Sequence, residues 1–206
     1  MRRANTRLQS DRRAEILEAA ERCFARSGFH QASIQEICAA AGMSPGNLYR
    51  YFPSKEAIIA GIAESNRATA AADFAAVTTA DDFFGGFAAL ARHYLVERTA
   101  DEVALCAEIM TESRRNPEIA RIYQAIDTDV KAGLVAVLRN AAARGEIAAE
   151  LDFERIVIVL LAIGDGIEWR RAVDPGFDAE TVLPLILQMV KSLLVPAGST
   201  APETPR

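Results

Sequence analysis

The chain has 206 residues, of which half are hydrophobic, and a formal net charge of −5. This length allows one or two domains with a buried core, and no stretch is apolar enough to predict a membrane span. The basic segment Met1–Ser10 lacks the apolar core of a secretory signal, so we expect a cytoplasmic protein. Three widely spaced cysteines predict reduced, buried thiols, with a redox sensor as the alternative: Cys23, Cys38 and Cys106.

The charge is unevenly distributed along the chain. Residues 1–55 carry nine Lys/Arg and five Asp/Glu, a net +4, whereas residues 56–206 carry 14 and 23, a net −9. This asymmetry predicts a polyanionic partner at the N-terminal end, despite the negative total. Five arginines are predicted to form a flexible arm and first helical turn that contact DNA, a solubilising tail being the alternative. They are Arg2, Arg3, Arg7, Arg12 and Arg13.

The first two predicted helices are short and clearly bounded. A one-sided apolar stripe predicts a helix over Asp11–Ser27, which Gly28 ends. Ser33 then opens a second helix, with Glu36 three residues later to complete a capping box. Gly42 ends this helix, because glycine readily adopts the left-handed backbone found just after a helix.

A third helix follows after a tight turn. Ser44 is its predicted N-cap, Pro45 occupies the first helical position, and Pro53 ends it. Leu48 and Phe52 are expected to face inward. The side chains expected to face outward are those of Asn47, Tyr49, Arg50 and Tyr51. A short helix with small and polar outward side chains is suited to the DNA major groove.

The fourth predicted helix starts at Ser54 and continues to about Ala72. Lys55 lies in its first turn, where a cation is mildly unfavourable because the helix dipole is positive there. A nearby phosphate would reverse this effect, so we expect Lys55 to contact the DNA backbone.

Residues 11–60 resemble the DNA-binding domain of the TetR (tetracycline-repressor) family. The positions that match the family pattern are Phe24, Gly28, Ser33, Ile37, Gly42, Leu48, Tyr49, Tyr51, Phe52, Lys55 and Glu56. The resemblance implies an all-α fold of about nine helices. A three-helix helix-turn-helix domain with a basic arm would occupy residues 1–55, and a larger helical effector-binding and dimerisation domain residues 56–195. The composition of residues 196–206 predicts a disordered tail.

Breaker residues place the remaining helices. Thr79 or Asp81 opens the fifth, and the eighth begins after Asp152. The sixth, seventh and ninth are expected near residues 101–115, 117–144 and 179–195. Helices eight and nine are apolar on nearly every side, which requires cover on every side. A fully internal position is one solution. A homodimer interface fits the sequence better, and it is also what the resemblance implies.

The resemblance carries DNA-contact roles to specific positions. Ser33, Tyr49 and Lys55 would contact phosphates, and Tyr51 the backbone or a thymine methyl group. Arg50 would contact a phosphate, a base or only solvent. Base edges would be read by Gln35, Pro45, Gly46 and Asn47, next to the N-cap Ser44. Gln and Asn side chains can pair with adenine in the major groove.

The resemblance also implies an effector pocket among helices five to eight. Candidate ligand-binding residues are Phe84, Phe87, Tyr94, Glu108, Met110, Glu112, Tyr123, Asp165 and Trp169, with Ile163, His93 and Glu168 as further candidates. Acidic groups beside aromatic rings would suit a cationic ligand. The alternative is that the aromatic residues belong to the core and the carboxylates to a solvated face or to ion pairs.

The sequence contains no phosphate-binding loop, nucleophile motif or cluster with metal-ligand spacing, so we expect no enzyme, cofactor or metal site. The predicted function is a homodimeric transcriptional regulator, most simply a repressor, that binds a pseudo-palindromic operator and is released by a small-molecule effector. One alternative is a helical ligand-binding or adaptor dimer whose helix-turn-helix is only structural. A helical enzyme is another.

Overall fold

The computed structural model describes the backbone of residues 2–195 and the side chains of residues 10–195. Over this range the chain is helical and contains no strand, which confirms the all-α prediction. The nine α-helices are α1 (Arg2–Gln31), α2 (Ile34–Ala40), α3 (Pro45–Leu48), α4 (Lys55–Thr79), α5 (Phe83–Arg92), α6 (Ala100–Ser113), α7 (Pro117–Ala143), α8 (Phe153–Val173) and α9 (Ala179–Leu194). A π-helical segment, His93–Glu97, follows α5 directly. The predicted tail, 196–206, lies outside the described residues.

Helix α1 begins earlier than the sequence predicted. It starts at Arg2 rather than Asp11, because the preceding residues include no proline or glycine and several good helix formers. Arg12 and Arg13 therefore lie within the helix, as predicted, but in its interior rather than in its first turn. The predicted break at Gly28 is confirmed, since its φ of 74° interrupts the helix before a last turn to Gln31.

Helix α2 begins and ends as predicted. The capping box of Ser33 and Glu36 is present, and Gly42 has a φ of 62° just after the helix. Helix α3 is shorter than predicted, because it ends at Leu48 and continues only as turns. Ser44 occupies its N-cap position, but the hydroxyl makes no capping hydrogen bond. Instead the Ser44 carbonyl accepts from the amides of Asn47 (3.0 Å) and Leu48 (3.1 Å).

The later helices differ from prediction mainly at their ends. Helix α4 continues to Thr79 rather than Ala72, as its alanine-rich sequence favours. Asp82, and not Thr79 or Asp81, caps α5 by accepting from the amides of Phe84 and Gly85. A capping box formed by Thr99 and Glu102 at α6 was not predicted. The Asp152 cap of α8 is confirmed.

The helices form two compact units. Unit 1 comprises the chain up to Ala68 together with Thr99–Thr128, and unit 2 comprises Thr69–Arg98 and the chain from Asp129 onward. This division differs from the sequence-based boundary after residue 55, because α6 and the first part of α7 group with the N-terminal helices. Each unit has its own cluster of buried apolar side chains. Within residues 2–195, no helix is both long and apolar enough to cross a bilayer.

Two of the three cysteines of unit 1 lie in environments that disfavour reaction. Cys23 and Cys38 are 3 % exposed, and Cys106 is half-buried. Burial raises the pKa of both Cys23 and Cys38, which disfavours the reactive thiolate. The prediction of buried, reduced thiols is confirmed for these two residues.

Two helix glycines in unit 2 provide a test of packing. A Cβ at Gly133 would overlap the Phe74 ring, whereas one at Gly164 would meet only Leu95, at 3.9 Å. Gly133→Ala should lower the free energy of unfolding, because overpacking costs about 1–3 kcal/mol and outweighs the helix propensity gained. Gly164→Ala should raise it by up to about 1 kcal/mol. Urea unfolding at one protein concentration measures both, and equal shifts would contradict this packing.

Candidate nucleic-acid interface

Helix α3 is anchored by two fully buried side chains. Leu48 is 0 % and Phe52 1 % exposed, and both belong to the apolar core of unit 1. The inward orientation predicted for these two residues is therefore confirmed. Because these two side chains point into the core, the remaining α3 side chains lie at the surface.

The structure places the predicted DNA-contact residues at this surface. Tyr49 is 51 % exposed, so its ring and hydroxyl are accessible from solvent. The other exposed residues of the set are Gln35, Ser44, Pro45, Gly46 and Arg50, and the half-buried ones are Ser33, Asn47, Tyr51 and Lys55. Polar and small side chains thus surround the two buried apolar anchors.

The start of α2 is fixed by reciprocal hydrogen bonds. The Ser33 amide donates to Oε2 of Glu36 at 2.7 Å, and the Glu36 amide donates to the Ser33 hydroxyl at 3.1 Å. The bonds from the Ser33 amide and hydroxyl lower the pKa of the Glu36 carboxyl. Ser33 therefore fixes the helix start, and its phosphate contact stays a prediction.

Lys55 has a protein partner that the sequence did not reveal. Its ammonium donates to the carbonyls of Phe29 (2.6 Å) and Ala32 (3.1 Å), with His30 at 3.5 Å, and lies 4.5 Å from the centre of the Phe29 ring. These carbonyls follow the break in α1, where a helix C-terminus attracts cations. The position of Lys55 at the positive end of the α4 dipole indicated an electron-rich partner. Only the fold identifies that partner as a set of backbone carbonyls.

Two carboxylates predicted to bind ligand contact the same segment from α6. Oε1 of Glu108 accepts from the Phe29 amide at 2.8 Å. Glu112, which is 1 % exposed, lies 2.9 Å from Nε2 of His30 and accepts from Nε of Arg115 at 2.8 Å. Both carboxylates thus have protein partners, as a buried charge requires. The ligand prediction overlooked Phe29 and His30, which carry no binding motif.

The predicted ligand residues are divided between the two units. Glu108, Met110, Glu112 and Tyr123 belong to unit 1, and Phe84, Phe87, Tyr94, Asp165 and Trp169 belong to unit 2. In unit 2, a groove of about 240 Å³ is lined by Phe84, Phe87, Ala88, Leu187, Gln188, Val190 and Lys191.

Two of the polar ligand candidates in unit 2, Tyr94 and Glu168, are also paired with protein groups. The Tyr94 hydroxyl donates to Oδ2 of Asp73 at 2.9 Å, and burial and this carboxylate raise the pKa of Tyr94. Glu168 forms a largely buried ion pair with Arg98 at 2.5 Å. Trp169 is 49 % exposed, so it is not a core residue of the unit. In the part of the chain that the structure describes, no three His, Cys, Asp or Glu side chains group into a metal site.

A core-anchored helix-turn-helix at the N-terminal end of an all-helical chain defines a DNA-binding transcriptional regulator. Residues 16–62 match the family model for bacterial regulatory proteins of the tetR family, and residues 87–195 match the C-terminal model of BetI-type transcriptional repressors. This chain belongs to the tetR family.

Individual relatives agree with this assignment. The chain is 31% identical over 162 residues to the transcriptional regulator UidR of Escherichia coli K12, covering 75% of this chain and 79% of UidR. Salmonella enterica GusR has a TM-score of 0.77 and 33% identity, covering 89% of this chain and 95% of GusR. A regulator from Saccharomonospora viridis in complex with choline shares the fold, with a TM-score of 0.77, 23% identity and coverage of 91% and 100%.

The contacts of Lys55 predict a structural role that can be measured. Lys55→Met should lower the free energy of unfolding by about 1–3 kcal/mol, because partly buried carbonyls lose a charged donor. Arg50→Met is the matched control, since Arg50 is exposed on the surface after α3 and should change stability by less than about 0.5 kcal/mol. Thermal and urea unfolding measure the stability of both variants. Equal losses of stability would contradict a stabilising role for the hydrogen bonds from Lys55 to the carbonyls.

Proposed function

We propose that this regulator is a homodimeric repressor that binds a pseudo-palindromic operator in the cytoplasm and is released by a small-molecule effector. The observation that carries the proposal is the exposed surface around α3, anchored by buried Leu48 and Phe52, in a chain of the tetR family. Repression is supported by the match of residues 87–195 to the BetI-type repressor model.

The DNA contacts follow from exposure and chemistry. Gln35, Pro45, Gly46 and Asn47 lie at the surface of the helix-turn-helix and would meet base edges. Tyr49 and Tyr51 carry hydroxyl groups suited to phosphate oxygens. The family resemblance adds Ser33 and Lys55 as backbone contacts. Arg50 would contact a phosphate, a base or only solvent, and Ser44 occupies the N-cap position beside the base-reading residues.

A homodimer is supported by apolar side chains left exposed in unit 2. Their exposed fractions lie between 40 % and 59 %. On α8 they are Ile158, Val159, Trp169 and Val173, and on α9 Leu185, Met189 and Leu193. The α9 residues recur every fourth position and so share one face. A second copy covering these faces would remove them from water and place two reading helices on one operator. Trp169 fits this role better than a pocket wall.

Effector binding would fall to the helical C-terminal part of the chain. The structurally similar regulator from Saccharomonospora viridis is in complex with choline, a small organic cation, which supports an effector of this kind. Phe84, Phe87, Tyr94 and Asp165 are the candidates in unit 2. Met110 and Tyr123, in unit 1, stay on the list of candidates, whereas Glu108 and Glu112 already have protein partners.

Coupling between effector and operator would use helix α4. This helix runs without interruption from Lys55, beside the helix-turn-helix, to Thr79 in unit 2. An effector that favours one position of α4 would change operator affinity by a coupling energy of about 1–3 kcal/mol. A helical adaptor dimer whose helix-turn-helix is only structural is the alternative, and it predicts a dimer that does not bind DNA.

Sequence preference tests the reading role. The full chain should enrich a pseudo-palindromic duplex from random-sequence DNA by repeated selection, with binding that weakens steeply as salt rises. Asn47→Ala should relax the preference at one position in each half-site, a loss of about 1–3 kcal/mol of discrimination. Gln124→Ala is the control. Gln124 is an exposed residue of α7, so this variant should leave the preference unchanged. A wild-type chain that enriches no duplex would sink the proposal in favour of the adaptor.

The dimer surface can be tested separately. Met189→Glu places a charge on the exposed α9 face, where burial in an interface would be costly, so the variant should dissociate to monomers at concentrations at which the wild type is dimeric. Gln124→Glu adds the same charge at an exposed position of α7 and should stay dimeric. Sedimentation velocity measures both, and a dimeric Met189→Glu would place the interface elsewhere.

A further inference from the structure

We propose that Arg12 and Arg13 position the DNA-reading helix by binding the chain on either side of it, and do not act by neutralising phosphates. The inference rests on the proposed reading role of α3. It concerns two residues that the charge pattern had assigned to a DNA-contacting arm.

Helix α3 has little to hold it in one orientation by itself. It comprises a single turn, Pro45–Leu48, and the Ser44 side chain contributes no capping bond. A one-turn helix has almost no intrinsic stability, because the cost of nucleation is not recovered by further hydrogen bonds. Its orientation must therefore depend on tertiary contacts, which are those of the buried Leu48 and those of the residues that flank the helix.

Arg12 binds the flank that precedes α3. Its Nη2 donates to the carbonyl of Gly42 at 3.2 Å, in the turn between α2 and α3. Nη1 of the same guanidinium pairs with Glu15, one turn further along α1. The two contacts fix the guanidinium between a carboxylate of α1 and the backbone of the turn.

Arg13 binds the flank that follows α3. Its Nη1 donates to the Tyr51 carbonyl at 3.3 Å, and its guanidinium carbon lies 4.1 Å from the centre of the Phe52 ring. Phe52 is the buried anchor of this flank. The planar guanidinium thus combines a hydrogen bond with a cation–π contact, a combination that arginine provides better than lysine.

Helix α4 leaves the space for this arrangement. A Cβ at Gly61 would lie 2.8 Å from Cε1 of Phe52, 2.9 Å from Cδ2 of Leu17 and 3.4 Å from Nη2 of Arg13. A glycine at this position therefore lets the ring and the guanidinium pack closely against α4. Adjacent arginines of α1 consequently bind the backbone before and after α3, and define its position relative to α1.

A positioning role and a phosphate contact have different signatures in DNA binding. Loss of a phosphate contact weakens all sequences and lowers the slope of log affinity against log salt by about 0.9 per contact for B-DNA, and so by about 1.8 for a homodimer that loses one contact in each protomer. Loss of a positioning contact misaligns the base-reading side chains, so it lowers the ratio of specific to non-specific affinity. The slope then stays as it was, since the number of neutralised phosphates is unchanged.

The decisive variant is Arg13→Lys in the full chain, because it keeps the charge and removes the planar contact. The probes are the duplex enriched by the wild type and a scrambled duplex of the same composition. We expect the affinity ratio to fall about tenfold, the scale of one base contact, with an unchanged salt slope. Arg22→Lys, exposed on the same helix, is the matched control and should match the wild type.

A second variant separates positioning from loss of folding. Phe52→Leu keeps the arginine and an apolar anchor but removes the ring, so it should lower the affinity ratio like Arg13→Lys. Circular dichroism establishes the folded fraction, and a smaller folded fraction lowers both affinities equally without changing their ratio. A wild-type ratio in both variants would overturn the inference. So would an Arg13→Ala variant whose salt slope falls by about 1.8, one contact per protomer, while the ratio is kept. A wild type that enriches no duplex would instead overturn the reading role itself.

Discussion

The burial of Leu48 and Phe52 is the constraint on which the rest of the proposed DNA-reading surface depends. Helix α3 is one turn long, so intrahelical hydrogen bonds contribute little to its stability. Insertion of these two side chains into the unit 1 core supplies what the helix lacks, since each large buried side chain contributes about 1.5–3 kcal/mol. Exposure of Tyr49 and its polar neighbours follows, because a short helix with one buried face presents its other face to water.

Three of the cations near this surface have hydrogen-bond partners in the protein backbone. Lys55 binds the carbonyls after the break in α1, and Arg12 and Arg13 bind carbonyls on either side of α3. Helix ends and turns leave such carbonyls without backbone partners, and a charged donor satisfies them well. A positive charge in the sequence therefore overstates the charge that is free to bind phosphate. Reading-helix geometry and electrostatic attraction come partly from different residues.

Unit 2 contains buried polar side chains that are paired and apolar side chains that are exposed to water. Tyr94 and Glu168 are both bound to protein partners, so burial of these groups is compensated within the unit. Met189 and Trp169, by contrast, are about half exposed. Exposure of a row of such side chains to water is unfavourable. This supports the proposal that a second copy of the chain buries them. The same contrast moves Trp169 from the effector pocket to the proposed interface.

The sequence by itself determined the local structure: the capping box at Ser33, the breaks at Gly28 and Gly42, and the all-helical fold. These features depend on residues a few positions apart, so the sequence contains all that is needed to predict them. The partners of Lys55 and Glu108 were decided only by the tertiary structure, because the contacting residues lie 26 and 79 positions away in the chain. A charged side chain can satisfy either a ligand or the backbone, and only the folded arrangement decides which lies within hydrogen-bonding distance.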